Sequence, residues 1–275
     1  MMFRSFEKSD PAMSPAGFTF LTVKSAALRQ RADMTLYVPE NCVVGPGTPI
    51  VLLLHGVYGS HWAWSFKGGA HQTATRLMHG GDVPAMLLCM PSDGMWGDGS
   101  GYVPHRSGNF EQWIVDEVPA AALSAYGLTG ATPPLFIAGL SMGGFAALRL
   151  AGKYPDRFAA ASAHSAITQV SNLDSLILES RCDWSTTPAD VSVISALRSA
   201  AGAVPPLRFD CGSDDAWLQA NRRLHRELDD SRIPHRFEEY PGDHDWSYWA
   251  QGLERSLRFF GETLQNREAD SGERM

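Results

Sequence analysis

The chain has 275 residues, 44% of them hydrophobic, which is enough for the core of one α/β domain spanning residues 1–275. Its formal net charge of −7 argues against nucleic acid and against an anionic membrane surface as partners. No apolar run reaches the length that crosses a bilayer, and the first residues lack the apolar centre of a secretory signal. We therefore expect a cytoplasmic protein with no membrane partner.

Four cysteines are scattered along the sequence without a Cys-x-x-Cys pair or a zinc-ligand spacing: Cys42, Cys89, Cys182 and Cys211. We expect them to be free thiols, and we expect neither a cofactor nor a metal site. The charged segment 265–275 is predicted to be a frayed tail. A homo-oligomer is compatible with this composition.

Two strands are predicted ahead of the central sheet. Alternating apolar and polar residues over 18–24 predict the first, and segment 34–38 predicts its antiparallel partner. The run Ile50–Leu54 is apolar throughout, which is typical of a strand buried on both faces of a parallel sheet. Ligand sites form beyond the carboxyl ends of such strands, so the turn that follows is a candidate part of a site.

That turn, 55–60, begins with a histidine-glycine pair. Hydrolases place a backbone N–H at such a turn to stabilise an oxyanion. We assign this donor to the N–H of Val57, with that of Tyr58 as the near alternative. A simple glycine turn is the other interpretation. His55 itself is expected to shape the loop through hydrogen bonds rather than to act as a base, and it is a candidate residue of the substrate pocket.

Two loops carry further candidates for the wall of a substrate pocket. Trp62 follows the histidine-glycine turn, although packing of this loop on the protein body explains it equally well. The Gly/Asp-rich loop 91–102 contributes Trp96 and Tyr102. This loop lacks the ligand spacing of an EF-hand, so we expect no metal there. We predict instead that Asx turns from its aspartates order the loop.

A buried strand over 135–140, a tight turn and a small-residue helix surround Ser141. Gly139 and Gly143 complete a Gly-x-Ser-x-Gly pattern, and both must lack a side chain if strand and helix approach closely. The hydroxyl on such a turn points into open space, and the first N–H groups of the helix face it. Ser141 is therefore a candidate nucleophile; a strand-to-helix turn with a capping serine is the alternative.

Less informative segments lie on either side of this motif. A helix is predicted over 110–126, in which Pro119 implies a kink or a division into two pieces. After the serine helix, a strand over 158–163 ends at His164, which could be mistaken for a catalytic base; we favour a polar residue beside the pocket. Segment 165–204 has no strong strand signal and is predicted to be a short helical insertion that partly covers the site.

An acid and a base follow the serine in the chain order that a serine hydrolase of α/β architecture requires. A predicted strand runs into Asp214 and Asp215, and we favour Asp215 because Asp214 could cap the next helix. Both could instead be helix-start acids. His244 lies between the last predicted strand, 234–240, and a final helix over 246–264. The third member of a triad must come at this place.

With these residues in place, the sequence resembles the α/β-hydrolase superfamily. Within it, the chain is similar to the putative-esterase group of esterase D (S-formylglutathione hydrolase), tributyrin esterases and mycolyltransferases. The resemblance implies a mostly parallel central sheet of about eight strands, with helices on both faces and a small helical insertion. The matching segments span most of the chain: Leu54-His55-Gly56, Asp116-Glu117-Val118-Pro119, Gly139-Leu140-Ser141-Met142-Gly143-Gly144, Cys211-Gly212-Ser213-Asp214-Asp215 and Pro241-Gly242-Asp243-His244-Asp245.

The resemblance also implies a role for individual residues. Ser141 is the nucleophile, Asp215 the acid and His244 the base of a catalytic triad. The backbone N–H groups of Val57 and Met142 form the oxyanion hole.

The sequence thus predicts a serine carboxylesterase that hydrolyses small or short-acyl esters through an acyl-enzyme, with a small-molecule ester as its partner. A thioesterase of the S-formylglutathione hydrolase type and an acyltransferase would use the same residues. The esterase D group, however, carries a Thr-Cys-Thr segment where this chain has Val57-Tyr58-Gly59-Ser60, which disfavours a glutathione thioester. A non-catalytic binding protein of the same fold is the alternative from another class.

Overall fold

A sheet of nine strands runs through the described residues of the computed structural model, which are 3–200 and 202–272. The strands lie in the order β1-β2-β3-β5-β4-β6-β7-β8-β9. The pairs β1-β2, β2-β3 and β3-β5 are antiparallel. The other five neighbouring pairs, from β5 to β9 in this order, are parallel. The strand bounds are β1 Phe3–Lys8, β2 Phe18–Ser25, β3 Arg31–Tyr37, β4 Ile50–Leu54, β5 Leu87–Pro91, β6 Leu135–Leu140, β7 Ala160–His164, β8 Leu207–Gly212 and β9 Arg236–Tyr240.

Helices cover both faces of this sheet, as crossovers between parallel strands require. Their bounds are α1 Ala63–Phe66, α2 Ala70–His79, α3 Phe110–Gln112, α4 Val118–Ala125, α5 Met142–Lys153, α6 Pro188–Val191, α7 Val193–Ser199, α8 Leu218–Asp230 and α9 Trp246–Gly272. A π-helical segment, Trp113–Glu117, joins α3 to α4, and a 3₁₀-helix covers Val170–Ser175. Within the described ranges, no helix combines the length and the apolar character needed to span a bilayer.

The central strand β6 shows how one apolar strand serves two cores. Ile137 packs into the cluster that contains Phe145 of α5, and Phe136 packs into the cluster on the opposite face. There its ring stacks on that of Phe260 in α9, with the centroids 4.7 Å apart. Successive side chains of a strand point to opposite faces, so a strand buried on both sides must be apolar throughout. The predicted fold class is confirmed, with nine strands close to the expected eight.

The strand that the sequence did not predict is β1. Its two phenylalanines, Phe3 and Phe6, are half-buried and its other residues are exposed, so it shows no alternating apolar pattern. It joins the edge of the sheet by antiparallel pairing with β2. Backbone hydrogen bonds, which depend little on side-chain identity, therefore account for this strand.

The predicted helix 110–126 is divided into segments next to Pro119. The irregular part is the π-helical segment that ends at Glu117, whose carboxylate is buried and accepts hydrogen bonds from the N–H groups of Ala26 and Ala27. Pro119 lies in the first turn of α4 and has no N–H, and the carbonyl of Val115, four residues before it, accepts a hydrogen bond from Arg157. The predicted division of this helix is therefore present, as a change from π-helical to α-helical backbone at Val118.

The chain differs from the prediction at its end as well. Helix α9 continues to Gly272, beyond the predicted end at 264, and thereby includes part of the predicted tail 265–275. Residues 265–269 are exposed, so this part of the sequence has no apolar periodicity that would predict the longer helix. The last part of the predicted tail, 273–275, lies outside the described residues.

The turn at Ser141 brings three backbones into contact. Ser141 has φ 53° and ψ −117°, a conformation that residues with a side chain rarely adopt. A Cβ on Gly139 would clash with the carbonyl of Gly143, and a Cβ on Gly143 would clash with that of Leu54. A Cβ on Gly56 would lie 3.2 Å from that of Ser141. The end of β4, the end of β6 and the start of α5 therefore meet without side chains between them.

We expect Gly143→Ala to lower the free energy of unfolding by about 1–3 kcal/mol, because α5 must move away from the backbone of β4. Unfolding in urea measures this change. Gly45→Ala is the matched control, since a Cβ there meets no atom within 4 Å. Equal stabilities of the two variants would show that the close approach is not required.

Candidate active site

Three side chains from three different strand ends form a hydrogen-bonded chain. The hydroxyl oxygen of Ser141 lies 3.1 Å from Nε2 of His244, and Nδ1 of the same ring lies 2.9 Å from a carboxylate oxygen of Asp215. Only an N–H can face a carboxylate, so Nδ1 carries the proton and Nε2 accepts from the hydroxyl. Such a chain lets the imidazole remove the hydroxyl proton when the oxygen attacks an electrophile.

The turn after β8 brings Asp215, not Asp214, to the histidine. The Asp215 side chain is buried, whereas Asp214 is exposed and accepts a hydrogen bond from its neighbour Ser213. Burial alone would raise the pKa of Asp215, but the hydrogen bond from His244 and that from the N–H of Trp217 outweigh it, so the pKa of this carboxyl is lowered. The carboxylate is therefore ionised opposite the ring.

Two glycines bring the acid-bearing and base-bearing loops together. A Cβ on Gly212, at the end of β8, would clash with the carbonyl of Gly242, just after β9. Gly242 has φ 142°, and its carbonyl accepts from the N–H of Asp214 at 2.9 Å. This backbone contact explains how residues 29 positions apart become hydrogen-bonded partners.

Two backbone N–H groups beside Ser141 are candidates for an oxyanion hole. Met142 is the first residue of α5, where N–H groups have no partner inside the helix. The N–H of Tyr58 donates to the carbonyl of Asp98 at 2.9 Å, so of the two predicted donors in that turn the N–H of Val57 is the available one. Within the described part of the chain, neither Val57 nor Met142 donates a backbone hydrogen bond.

Ser141 and His244 line a cavity of about 420 Å³. Tyr58 and Trp62, two of the predicted pocket residues, also line it, and they remain 67% and 40% exposed at its mouth. The other lining residues are mostly apolar: Gly56, Val57, Gly59, Ala63, Lys67, Leu140, Leu176, Trp217, Asp245, Trp246 and Trp249. The space suits a small, largely apolar ligand.

Three tryptophans of this cavity were not predicted. Trp217 lies two residues after Asp215, and Trp246 and Trp249 follow His244. The ring of Trp249 packs edge-on against that of His244, with the centroids 4.9 Å apart. Their closeness in sequence to the acid and the base is the signal that could have identified them.

Three other candidate pocket residues lie outside the lining of this cavity. His55 is buried; its Nε2 accepts from the N–H of Asp93 at 3.0 Å, and burial lowers its pKa, so the ring is neutral. Tyr102 is fully buried and donates to the carbonyl of His55 at 3.1 Å. Trp96 packs edge-on against Trp184 at 5.4 Å. These side chains support the loops rather than face a ligand.

The Gly/Asp-rich loop is ordered by its two aspartates in different ways. Asp93 accepts from the N–H of Met95 at 2.9 Å in an Asx turn. Asp98 instead accepts from the N–H of Leu178 at 3.0 Å. This bond ties the loop to segment 165–204. Leu176, in the same segment, lines the cavity.

His164 belongs to a second Ser-His-Asp chain. Its Nδ1 lies 3.0 Å from a carboxylate oxygen of Asp210, and its Nε2 lies 2.8 Å from the hydroxyl of Ser256. All three side chains are fully buried, and none of them lines the cavity, whereas the His244 side chain is 28% exposed. Burial lowers the pKa of His164. A substrate cannot reach this second chain, which has a structural role.

Asp210 is the centre of that buried network. It accepts hydrogen bonds from Arg208 at 2.7 Å, from Arg255 at 3.3 Å and from the hydroxyl of Tyr248 at 2.8 Å. Burial alone would raise the pKa of Asp210, but His164 and the two guanidinium groups reverse the effect and lower the pKa well below its usual range. Because Tyr248 belongs to the first turn of α9, the network anchors the helix that follows the His244 loop.

A larger hollow, of about 1100 Å³, opens at the opposite edge of the sheet, next to the first residues of β4 and β6, Ile50 and Leu135. As far as the described residues line it, this hollow contains no histidine and no cysteine. It therefore offers no imidazole and no thiol beside a candidate nucleophile, and the smaller cavity at Ser141, which contains His244, is the candidate active site.

Comparisons with known proteins show the family of this chain. The family model described as "Putative esterase" matches residues 25–260. An acetyl esterase of Caldicellulosiruptor saccharolyticus is 25% identical over 226 residues, which are 75% of this chain and 81% of that protein.

Solved structures share the fold at lower identity. FphF, a fluorophosphonate-binding serine hydrolase of Staphylococcus aureus, superposes with a TM-score of 0.76 at 24% identity, covering 90% of this chain and 98% of that one. The S-formylglutathione hydrolase FrmB of Staphylococcus aureus superposes with a TM-score of 0.74 at 22% identity, covering 90% and 99%.

We expect Asp210→Asn to lower the free energy of unfolding at neutral pH by about 3 kcal/mol, because two guanidinium groups lose an ionised partner. Since the pKa of Asp210 is lowered in the folded protein, its contribution is complete above the unfolded pKa of about 3.9 and is lost as the pH falls below it. Urea unfolding at about pH 7, 5 and 3 should show the gap to the wild type narrowing only at the lowest pH.

The exposed Asp156 provides the control for this series. Asp156→Asn should unfold like the wild type at each pH. If the difference in free energy of unfolding between the wild type and Asp210→Asn stayed constant down to the lowest pH, it would contradict the lowered pKa of Asp210.

Proposed function

Since this chain belongs to the family described as "Putative esterase" and is a carboxylic ester hydrolase, we propose that it cleaves small, short-acyl esters with Ser141, His244 and Asp215 as its catalytic triad. The observation that carries the proposal is the hydrogen-bonded chain from the Ser141 hydroxyl through His244 to Asp215, at the wall of an open cavity. The same arrangement of groups, in the same roles, performs acyl transfer on several unrelated folds.

The first step forms an acyl-enzyme. Nε2 of His244 takes the proton of the Ser141 hydroxyl as the oxygen attacks the carbonyl carbon of the ester. The ring becomes an imidazolium, and the ionised Asp215 stabilises its charge and holds its orientation. The carbonyl oxygen becomes an oxyanion, and the tetrahedral intermediate then collapses as the alcohol leaves with the proton from Nε2.

The oxyanion is stabilised by the N–H groups of Val57 and Met142. A donor of this kind contributes about 3 kcal/mol in comparable sites. The N-terminus of α5 adds the favourable end of the helix dipole at the same place. Because these donors are backbone groups in packed turns, they need no reorganisation as charge develops.

Water completes the cycle. Nε2 of His244, now neutral, takes a proton from a water molecule as its oxygen attacks the acyl carbon. The second tetrahedral intermediate collapses, Ser141 regains its proton from the ring, and the carboxylic acid leaves. An alcohol in place of water would give transfer rather than hydrolysis.

The cavity supports a short acyl group. Its volume of about 420 Å³ is at the small end of ligand sites, and aromatic side chains form much of its wall. The related acetyl esterase supports acetyl as the first acyl group to test. Hydrolysis of p-nitrophenyl esters of increasing acyl length, alongside S-formylglutathione, measures the preference. A preference for the thioester would overturn the assignment to alcohol esters.

We also propose a cytoplasmic location without a nucleic-acid partner. The net charge of −7 supports the absence of nucleic acid. All four cysteines lie among the described residues and are unpaired, which fits a reducing compartment. A homo-oligomer is compatible with these features, and light scattering on the purified protein measures it.

Ser141→Ala should abolish labelling by a fluorophosphonate probe and lower the hydrolysis of p-nitrophenyl acetate by at least roughly 10⁴-fold, because the nucleophile is lost. Ser256→Ala is the matched control, since it removes the serine of the buried second chain. It should still be labelled. Labelling of the wild type and Ser141→Ala to the same extent would disprove the proposed nucleophile.

The two adjacent aspartates provide a second test. Asp215→Asn should lower kcat about 10⁴-fold, since an amide no longer holds the required tautomer of His244 or its charged form. Asp214→Asn should leave kcat within about twofold of the wild type, because its exposed carboxylate contacts a neighbouring hydroxyl instead. Steady-state kinetics on p-nitrophenyl acetate decide the matter, and similar losses in both variants would refute Asp215 as the acid.

A further inference from the structure

A second cluster of chemically active side chains lies on the far side of α8. His225 and Asp229 are one helical turn apart on α8, and His235 lies in the connection to β9. One ligand atom from each of the three lies within 4.8 Å of the others. Nε2 of His235 is 2.7 Å from Nδ1 of His225 and 3.9 Å from a carboxylate oxygen of Asp229.

His235 is held in a single orientation with its Nε2 lone pair directed at the cluster. Its side chain is 3% exposed, and its ring stacks on that of Phe209 with the centroids 5.7 Å apart. Nδ1 lies 2.8 Å from the carbonyl of Ile233, and only an N–H can be the partner of a carbonyl. Nε2 therefore carries no proton in the neutral ring. A second hydrogen bond of this kind is what orients histidine ligands in metal sites.

The hydrogen-bond arrangement of the cluster leaves one pair of acceptor atoms facing each other. Since Nε2 of His235 is an acceptor, Nδ1 of His225 must be the donor between the rings. The other nitrogen of a neutral His225 then presents a lone pair to the carboxylate of Asp229, 3.5 Å away. When a metal ion binds Nδ1 of His225, the proton on this atom moves to Nε2 of the same ring, and the facing carboxylate oxygen of Asp229 accepts a hydrogen bond from it.

We propose that His225, Asp229 and His235 bind a divalent transition metal ion of the Zn²⁺ class. Two imidazole nitrogens and one carboxylate oxygen form a donor set that Zn²⁺ uses, with water in the remaining position. Tetrahedral binding requires the two nitrogens to be about 3.3 Å apart, somewhat farther than in the structure. The His225 side chain is 40% exposed and can move by that amount.

The metal ion would join the end of α8 to the start of β9. The ion pair of Arg222 with Glu239, at 2.6 Å, already links the same two elements. Asp215 precedes α8 and His244 follows β9, but His225 is ten residues from Asp215 along the chain, which is about 15 Å along a helix. The site therefore holds together α8 and β9, whose other ends carry the proposed acid and base, and it takes no part in ester hydrolysis.

Titration of the tag-free full chain with Zn²⁺ tests the proposal, by calorimetry and by thermal unfolding. The wild type should bind one ion per chain and unfold at a higher temperature when it is loaded. His225→Ala and Asp229→Asn should each weaken binding by at least about tenfold and lose most of the shift in unfolding temperature.

Three variants control for other ligands. His79→Ala removes an exposed histidine that contacts only a backbone carbonyl, Cys182→Ser removes an exposed thiol, and His244→Ala removes the histidine of the proposed triad. Each should bind Zn²⁺ like the wild type. The proposal is overturned if the wild type binds no stoichiometric ion, if His225→Ala and Asp229→Asn bind as the wild type does, or if a control variant loses the ion.

Discussion

The direct backbone contact between the Ser141 turn and strand β4 is the constraint on which the active region depends. Gly143 faces the carbonyl of Leu54 without a side chain between them, so α5 begins against the end of β4. The same contact places the N–H of Met142 and the turn of Val57 on either side of the serine. A side chain at position 143 would separate the two proposed oxyanion donors. Backbone packing, rather than any single side chain, therefore determines the geometry of the site.

Two Ser-His-Asp arrangements of similar geometry are found among the described residues, and their accessibility to a substrate distinguishes them. His164 connects Asp210 to Ser256 inside the protein, where no ester can enter. His244, in contrast, is partly exposed and lines a cavity together with Ser141. The buried arrangement holds β7, β8 and α9 together by hydrogen bonds and charge. Hydrogen-bond geometry alone is thus insufficient to identify a catalytic triad.

Much of the fold was predictable because it depends on local patterns. Apolar runs predicted β4 and β6, and the Gly-x-Ser-x-Gly pattern predicted the turn between β6 and α5. Strand β1 was missed because it joins the sheet edge through its backbone. The tryptophans of the cavity were missed since a hydrophobic pattern does not show which face of a loop a side chain occupies.

The sequence by itself determined the order of the proposed nucleophile, acid and base at three strand ends, because turn chemistry and apolar periodicity are local. Only the tertiary structure decided between neighbouring candidates. The contact between the loops after β8 and β9 favours Asp215 over Asp214 as the proposed acid. The hydrogen bond from the N–H of Tyr58 to the carbonyl of Asp98 favours Val57 over Tyr58 as the proposed oxyanion donor. Each of these choices depends on a hydrogen-bond partner that is distant along the chain and close in space, and no local pattern records such a partner.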